Sequence, residues 1–90
     1  MADEVSRLSC LERRRLGLTP IGVIAATRRL AKDGQINGGM SSEEICELVA
    51  TEIMLQNTPA WAEAPEIDWD AILAFVEKLI PIIMALIALF

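Results

Sequence analysis

The chain is ninety residues long, which allows one small domain with a modest core. It contains no histidine and no tyrosine, so the commonest catalytic base, metal ligand and proton switch are missing. Hydrophobic residues make up 53% of the sequence and aromatic residues only 4%, an aliphatic composition typical of helix packing. We therefore predict an all-α protein that is not an enzyme.

No metal-ligand or cofactor motif is present in the sequence. Cys10 and Cys46 match no metal-ligand spacing, and a Gly-rich phosphate loop is missing. We therefore expect no catalytic, cofactor-binding or metal-binding residues and no bound cofactor. The N-terminal residues lack the pattern of a signal peptide, so we expect a cytoplasmic location, or a membrane-associated one facing the cytoplasm.

The net charge of −5 conceals two halves of opposite sign. Residues 1–40 carry seven basic and four acidic side chains, a balance of +3. Residues 41–90 carry one lysine and nine acidic side chains, a balance of −8. This asymmetry is compatible with an anionic partner of the basic half, or with head-to-tail attraction within or between subunits.

The basic half is predicted to form two helices. Residues 3–15 have acidic side chains at the start and three arginines at the end, as the helix dipole favours. Thr19 and Pro20 are an N-cap and first residue of a second helix, expected to end at Asp33 with a left-handed Gly34 behind it. The candidate contacts with an anionic partner are Arg13, Arg14, Arg15, Arg28, Arg29 and Lys32.

A third helix is predicted from about residue 42 to Gln56. Ser41 and Glu44 have the spacing of a capping box, which marks its start. The glutamates along it are expected to form a solvated acidic face. The chain is thus divided into a three-helix region with a basic N-terminal half (1–56), a Pro/Ala linker (57–66) and an apolar C-terminal helix (67–90).

Two tryptophans lie in and after the predicted linker. Trp61 and Trp69 precede the most apolar part of the chain. Tryptophans at this place cover the end of a small core in some proteins and lie at a membrane interface in others. The sequence leaves both alternatives open.

The C-terminal segment is predicted to be one long, very apolar helix. Its apolar residues recur at alternating steps of four and three, the pattern of a helix that packs against other helices. The residues predicted to form a self-association or insertion face are Ile72, Val76, Leu79, Ile83, Leu86 and Phe90. Pro81 predicts a kink, because it cannot donate a hydrogen bond to the carbonyl of Glu77.

Protein packing explains this helix better than membrane spanning. The uncharged run from Leu79 to Phe90 would extend about 18 Å, whereas a bilayer core is about 30 Å thick. A longer span would include Glu77 and Lys78, at a cost of about 2.5 to 3.5 kcal/mol for each charge near a helix centre. Proline, however, is better tolerated in membrane helices than in soluble ones.

These patterns favour a non-enzymatic assembly or interaction protein. Three short helices would form a small cluster, completed by oligomerisation when the C-terminal helix packs against itself or a partner helix. The alternative is a small membrane-associated protein, such as a phage particle or lysis component, whose C-terminal helix inserts in or lies on a membrane. A nucleic-acid-binding helical module is a third hypothesis. It is disfavoured because the third helix is acidic and the pI is about 4.6.

Overall fold

A computed structural model of the chain describes residues 7–63 and 67–89. Within these residues the structure contains α-helices and no β-strand, which confirms the all-α prediction. The helices are α1 (Cys10–Leu16), α2 (Pro20–Lys32), α3 (Ser42–Gln56), α4 (Thr58–Ala62), α5 (Trp69–Glu77) and α6 (Ile80–Ile87). The short α4 lies within the segment predicted to be a linker.

Helix α1 begins later than the sequence analysis predicted. Ser9 is its N-cap, with an extended backbone, and accepts a hydrogen bond from the backbone N–H of Glu12 at 3.1 Å. The Glu12 side chain accepts a bond from the Ser9 N–H in return, which completes a capping box. The predicted start at residue 3 falls outside the described residues, but residues 7–9 are not α-helical.

Helices α2 and α3 have the predicted boundaries to within one residue. Thr19 caps α2 by accepting a bond from the Gly22 N–H at 3.0 Å, and Gly34 follows α2 with a φ of +75°. Ser41 caps α3 by accepting a bond from the Glu44 N–H at 3.2 Å. Local capping signals are therefore sufficient to place both helices.

The turn between α1 and α2 brings two glycines into close contact. Gly17 ends α1 with a φ of +77°, a left-handed conformation that glycine adopts at little cost. A Cβ atom added at Gly22 would overlap the carbonyl oxygen of Gly17. The first turn of α2 can therefore approach the end of α1 this closely only because residue 22 has no side chain.

The prediction of one long C-terminal helix is wrong. The segment is divided into α5 and α6 by a turn at Lys78 and Leu79, and α6 is only eight residues long. The cause is Pro81 in the first turn of α6, since its ring conflicts with a continuous helix and leaves the Glu77 carbonyl without its usual donor. The predicted kink is thus a complete break. As a result α5 packs against α3, whereas α6 packs against α2.

The core is formed by all the longer helices together. The radius of gyration of the Cα atoms is 12.5 Å, close to the value of about 12 Å expected for a compact domain of this length. The buried apolar residues are Leu16, Leu18, Val23, Ala26, Leu30, Ile36, Ile45, Cys46, Val49, Ala50, Ile53, Ile72, Val76, Ile83 and Ile87. The C-terminal segment therefore completes the core of its own chain.

Candidate interaction surfaces

The predicted self-association face is divided between the core and the surface. Ile72, Val76 and Ile83 are at most 1% exposed and pack inside their own chain. Leu79 and Leu86 are half-buried, and Phe90 lies outside the described residues. These six residues therefore do not form one free surface.

Helix α6 has a second apolar face that the core does not cover. Its inner face consists of Ile80, Ile83, Met84 and Ile87, all buried or half-buried. The outer stripe, as we call it, consists of Ile82, Leu86 and Leu89 at successive steps of four and three residues, whereas Leu79, one turn earlier, packs partly against the core. Ile82 is 41% exposed and Leu89 is 80% exposed. Helix α6 and the turn that follows it thus have apolar side chains on two sides.

A groove lies between the end of α1, the first half of α2 and the end of α3. It encloses about 570 Å³, and small residues form part of its lining, including Gly17, Gly22, Ala25 and Ala26. Ile21 lines the groove with 78% of its surface exposed, and Arg14 and Arg29 contribute guanidinium groups. The groove therefore combines an apolar wall with positive charge.

A second hollow continues the groove along α2. It is lined by Ala25, Arg28, Arg29, Lys32 and Asp33, so three basic side chains face one carboxylate, and it shares Ala25 and Arg29 with the groove. Arg14, which is far from these residues in the sequence, is thereby joined to the basic end of α2. We call the five residues Arg14, Ile21, Arg28, Arg29 and Lys32 the cationic surface.

Two of the six predicted anion contacts do not belong to the cationic surface. Arg15 forms an ion pair with Glu63 at 3.5 Å. Arg13 is half-buried, and its Nε has no hydrogen-bond partner in the part of the chain that the structure describes. Within the cationic surface, Arg29 forms an ion pair with Glu52 at 3.5 Å. The arginines near the end of α1 therefore differ in burial and in ion pairing.

An acidic hollow lies at the opposite end of α3. It encloses about 380 Å³ and is lined by Ser42, Glu43, Cys46, Glu47, Leu73 and Glu77. Burial raises the pKa of the Cys46 thiol, and the negative charge of Glu77 raises it further. No group of three ligating side chains among residues 7–63 and 67–89 could hold a metal ion.

The two tryptophans differ in their surroundings. Trp61 is half-buried, and its indole N–H donates a hydrogen bond to the Leu16 carbonyl at 3.0 Å. Trp69 is 40% exposed at the start of α5. Trp61 thus links α4 to the end of α1, whereas Trp69 leaves much of its ring in solvent.

Ile21 was not among the residues predicted to form a contact surface. Its spacing to Ala25 and to Arg28 and Arg29 is that of one helix face, a signal that was available from the sequence. The first half of α2 is apolar on several sides, however, and periodicity does not identify which of them is buried.

Comparisons with known proteins identify no relative of this chain. The chain matches no known protein family, no curated protein and no solved structure. Among the described residues, no helix has both the length and the apolar character needed to cross a bilayer.

Proposed function

We propose that this chain is a non-enzymatic assembly protein that associates with a second copy of itself through the outer stripe of α6. The observation that carries the proposal is that Ile82 and Leu89 remain exposed although the inner face of the same helix is buried. Covering apolar surface is favourable by about 25 cal/mol per Å². Packing two outer stripes together would remove this surface from water.

A second copy suits the outer stripe because the stripe is self-complementary. Residues 79–89 contain no charged side chain, so two copies of the segment would meet without repulsion between side chains. The flanking residues Pro81, Ala85 and Ala88 are exposed and small or compact, which favours close approach of the helix axes. A symmetric dimer brings the same surface from both chains together.

The outer stripe would be the centre of a larger interface. A helix of eight residues is about 12 Å long, whereas a stable interface buries about 800 Å² on each partner. Residues outside α6 would therefore have to contribute the rim. We expect an association that depends on concentration and is moderate in strength.

The exposed Trp69 and Leu89 favour a second candidate, adsorption of α6 onto a membrane surface. An exposed tryptophan and an exposed apolar helix face are both features of interfacial segments. Full insertion of the segment would be costly, because it would withdraw Ile72, Val76 and Ile83 from the core. Adsorption would use only the outer stripe and leave the fold intact.

Sedimentation velocity on the full chain without detergent tests the proposal. At an ionic strength high enough to screen contacts between charges, we expect the wild type to form a species of two or more chains, and the double variant Ile82→Asp/Leu89→Asp to shift to the single chain. Leu55→Asp is the matched control, since Leu55 on α3 is 65% exposed and outside the stripe. Equal masses for the wild type and the double variant would overturn the proposal. Ile83→Asp is unsuitable, because Ile83 is 0% exposed and its loss would unfold the domain.

Flotation with neutral lipid vesicles distinguishes membrane adsorption of α6 from self-association. Wild-type protein that floats, together with a stripe variant that does not, would assign the outer stripe to lipid. Protein that stays at the bottom while sedimentation shows dimers would assign it to a second copy.

A further inference from the structure

We infer that copies of this chain also associate head to tail, with the cationic surface of one copy bound to the acidic hollow of the next. This inference rests on the proposed function only in treating the protein as an assembly unit. The residues involved are different, because none of them belongs to the outer stripe. The two associations can therefore be tested separately.

The two surfaces are complementary in charge and in apolar content. Within the cationic surface, the exposed Ile21 lines the groove together with Arg14 and Arg29, and Arg28 and Lys32 extend the positive charge along α2. The acidic hollow surrounds the half-buried Leu73 with three exposed carboxylates, those of Glu43, Glu47 and Glu77. An apolar centre with charged residues at its edge is the usual composition of a specific protein interface. The cationic surface and the acidic hollow are thus complementary to each other.

Most of these charges have no ion-pair partner among residues 7–63 and 67–89. In this part of the chain, Arg15 pairs with Glu63 and Arg29 pairs with Glu52. Arg14, Arg28 and Lys32 form none there, and neither do the three carboxylates of the hollow. Bringing the surfaces together would replace solvated charges by charge-assisted contacts and would also steer the encounter.

The groove, which is lined by Arg14, Ile21 and Arg29 of the cationic surface, and the acidic hollow lie at opposite ends of α3. The groove is lined by Ile53, Gln56 and Asn57 at the C-terminal end of α3, whereas the hollow includes Ser42 and Glu43 at its N-terminal end. The thirteen residue-to-residue steps from Glu43 to Gln56 correspond to about 20 Å along the helix. This distance exceeds the screening length of about 8 Å at physiological salt. The acidic hollow that would cover the groove would therefore belong to another molecule.

A second copy explains the groove better than a nucleic acid does. The groove has apolar and small residues along its wall, which offer little to a phosphate backbone. The whole chain has a charge of −5, so a polyanion would be repelled at long range. Every copy that carries a cationic surface also carries the charge of −8 on residues 41–90, so an oppositely charged protein surface is always available.

Contacts between two different surfaces of the same chain do not form a closed symmetric dimer. They generate rings or open chains of subunits.

The test uses charge reversal in the Ile82→Asp/Leu89→Asp background, where the outer stripe is disabled. One variant adds Arg14→Glu and Arg28→Glu, and a second adds Glu47→Lys and Glu77→Lys. Arg29 and Glu52 are retained because they pair with each other. Circular dichroism and urea unfolding first establish that each variant is folded.

We expect the background protein to associate at low ionic strength and to dissociate as salt is added. Each charge-reversed variant alone should associate at least about tenfold more weakly, because like charges would face each other. An equimolar mixture of the two variants should assemble again, since opposite charges then face each other. A mixture that remains monomeric would overturn the head-to-tail inference, even if the outer stripe had passed its own test.

A matched control separates this surface from total charge. Arg7→Glu/Arg15→Glu changes the net charge by the same amount as the first variant, but these residues lie outside the cationic surface. It should associate like the background protein, and equal weakening would overturn the inference. A titration with duplex DNA tests nucleic acid as the alternative ligand of the cationic surface. Binding to DNA that requires Arg14 and Arg28, without salt-sensitive self-association, would assign the surface to nucleic acid instead.

Discussion

The indole N–H of Trp61 donates a hydrogen bond to the carbonyl oxygen of Leu16 across forty-five positions of sequence. Leu16 is the last residue of α1, where a helix leaves carbonyls without partners, and it is 3% exposed. The bond thus satisfies a buried acceptor and ties α4 to the turn that precedes α2. One side chain thereby fixes the segment that was expected to be a linker.

Replacing Trp61 by phenylalanine should lower the free energy of unfolding by about 1 to 3 kcal/mol. The substitution keeps an aromatic ring but leaves a buried carbonyl without its donor. Urea unfolding followed by circular dichroism measures the loss. Trp69→Phe is the control, because Trp69 is 40% exposed, and it should change stability by less than about 0.5 kcal/mol. Equal losses for both variants would contradict a specific role for the Trp61 bond.

Gly22→Ala should destabilise the domain, although alanine is normally the better helix residue. The new Cβ would overlap the Gly17 carbonyl, which belongs to the backbone and cannot rotate away. We expect a loss of about 1 to 3 kcal/mol in urea unfolding, as for other overpacked sites. Gly38→Ala provides the comparison, since no atom lies within 4 Å of its Cβ position. A Gly22→Ala variant as stable as the wild type would mean that α1 and α2 do not approach each other this closely.

The neighbouring residues Ile82 and Ile83 should respond in opposite ways to alanine. Ile83 is 0% exposed, so Ile83→Ala should lower the free energy of unfolding by about 2 to 5 kcal/mol. Ile82 is 41% exposed, so Ile82→Ala should leave the folded chain nearly as stable and weaken only its association. Urea unfolding at low protein concentration and sedimentation at high concentration separate the two effects. The same ranking in both measurements would contradict the division of α6 into an inner and an outer face.

The two cysteines should differ in reactivity. Cys10 is exposed, whereas Cys46 is 6% exposed and its pKa is raised, so less of the reactive thiolate forms. A thiol reagent at about pH 8 should modify Cys10 in the native protein and Cys46 only after unfolding. Mass spectrometry of digested samples assigns each label. Rapid native labelling of Cys46 would show that the acidic hollow opens readily.

Cys46 should also make stability depend on pH in the alkaline range. The pKa of this thiol is higher in the folded than in the unfolded chain, so its contribution is complete below the unfolded value of about 8.5. That contribution is lost as the pH rises through the raised folded-state pKa. Between about pH 8 and pH 10 the wild type should therefore lose more stability in urea unfolding than Cys46→Ala does. Identical losses would contradict the raised pKa.

Helix starts with strong local signals were accessible to sequence analysis, and contacts between distant residues were not. Thr19 and Ser41 cap α2 and α3 as predicted, since a cap depends on residues within one turn. The capping box of Ser9 and Glu12 has the same kind of signal, and overlooking it placed the start of α1 too early. The joining of Arg14 to Arg28 and Lys32 depends on the α1–α2 turn, which no local pattern encodes.

The sequence by itself determined the all-α class, the boundaries of α2 and α3, the opposite charges of the two halves and a distortion at Pro81, although it predicted a kink and not the complete break between α5 and α6. Each of these follows from composition or from interactions among neighbours in the chain. Only the tertiary structure decided that Ile72, Val76 and Ile83 are buried in their own chain while Ile82 and Leu89 stay exposed. The C-terminal segment is apolar on several sides, so its periodicity does not identify which side is buried. The choice among them depends on how α5 meets α3 and how α6 meets α2, which is a property of packing.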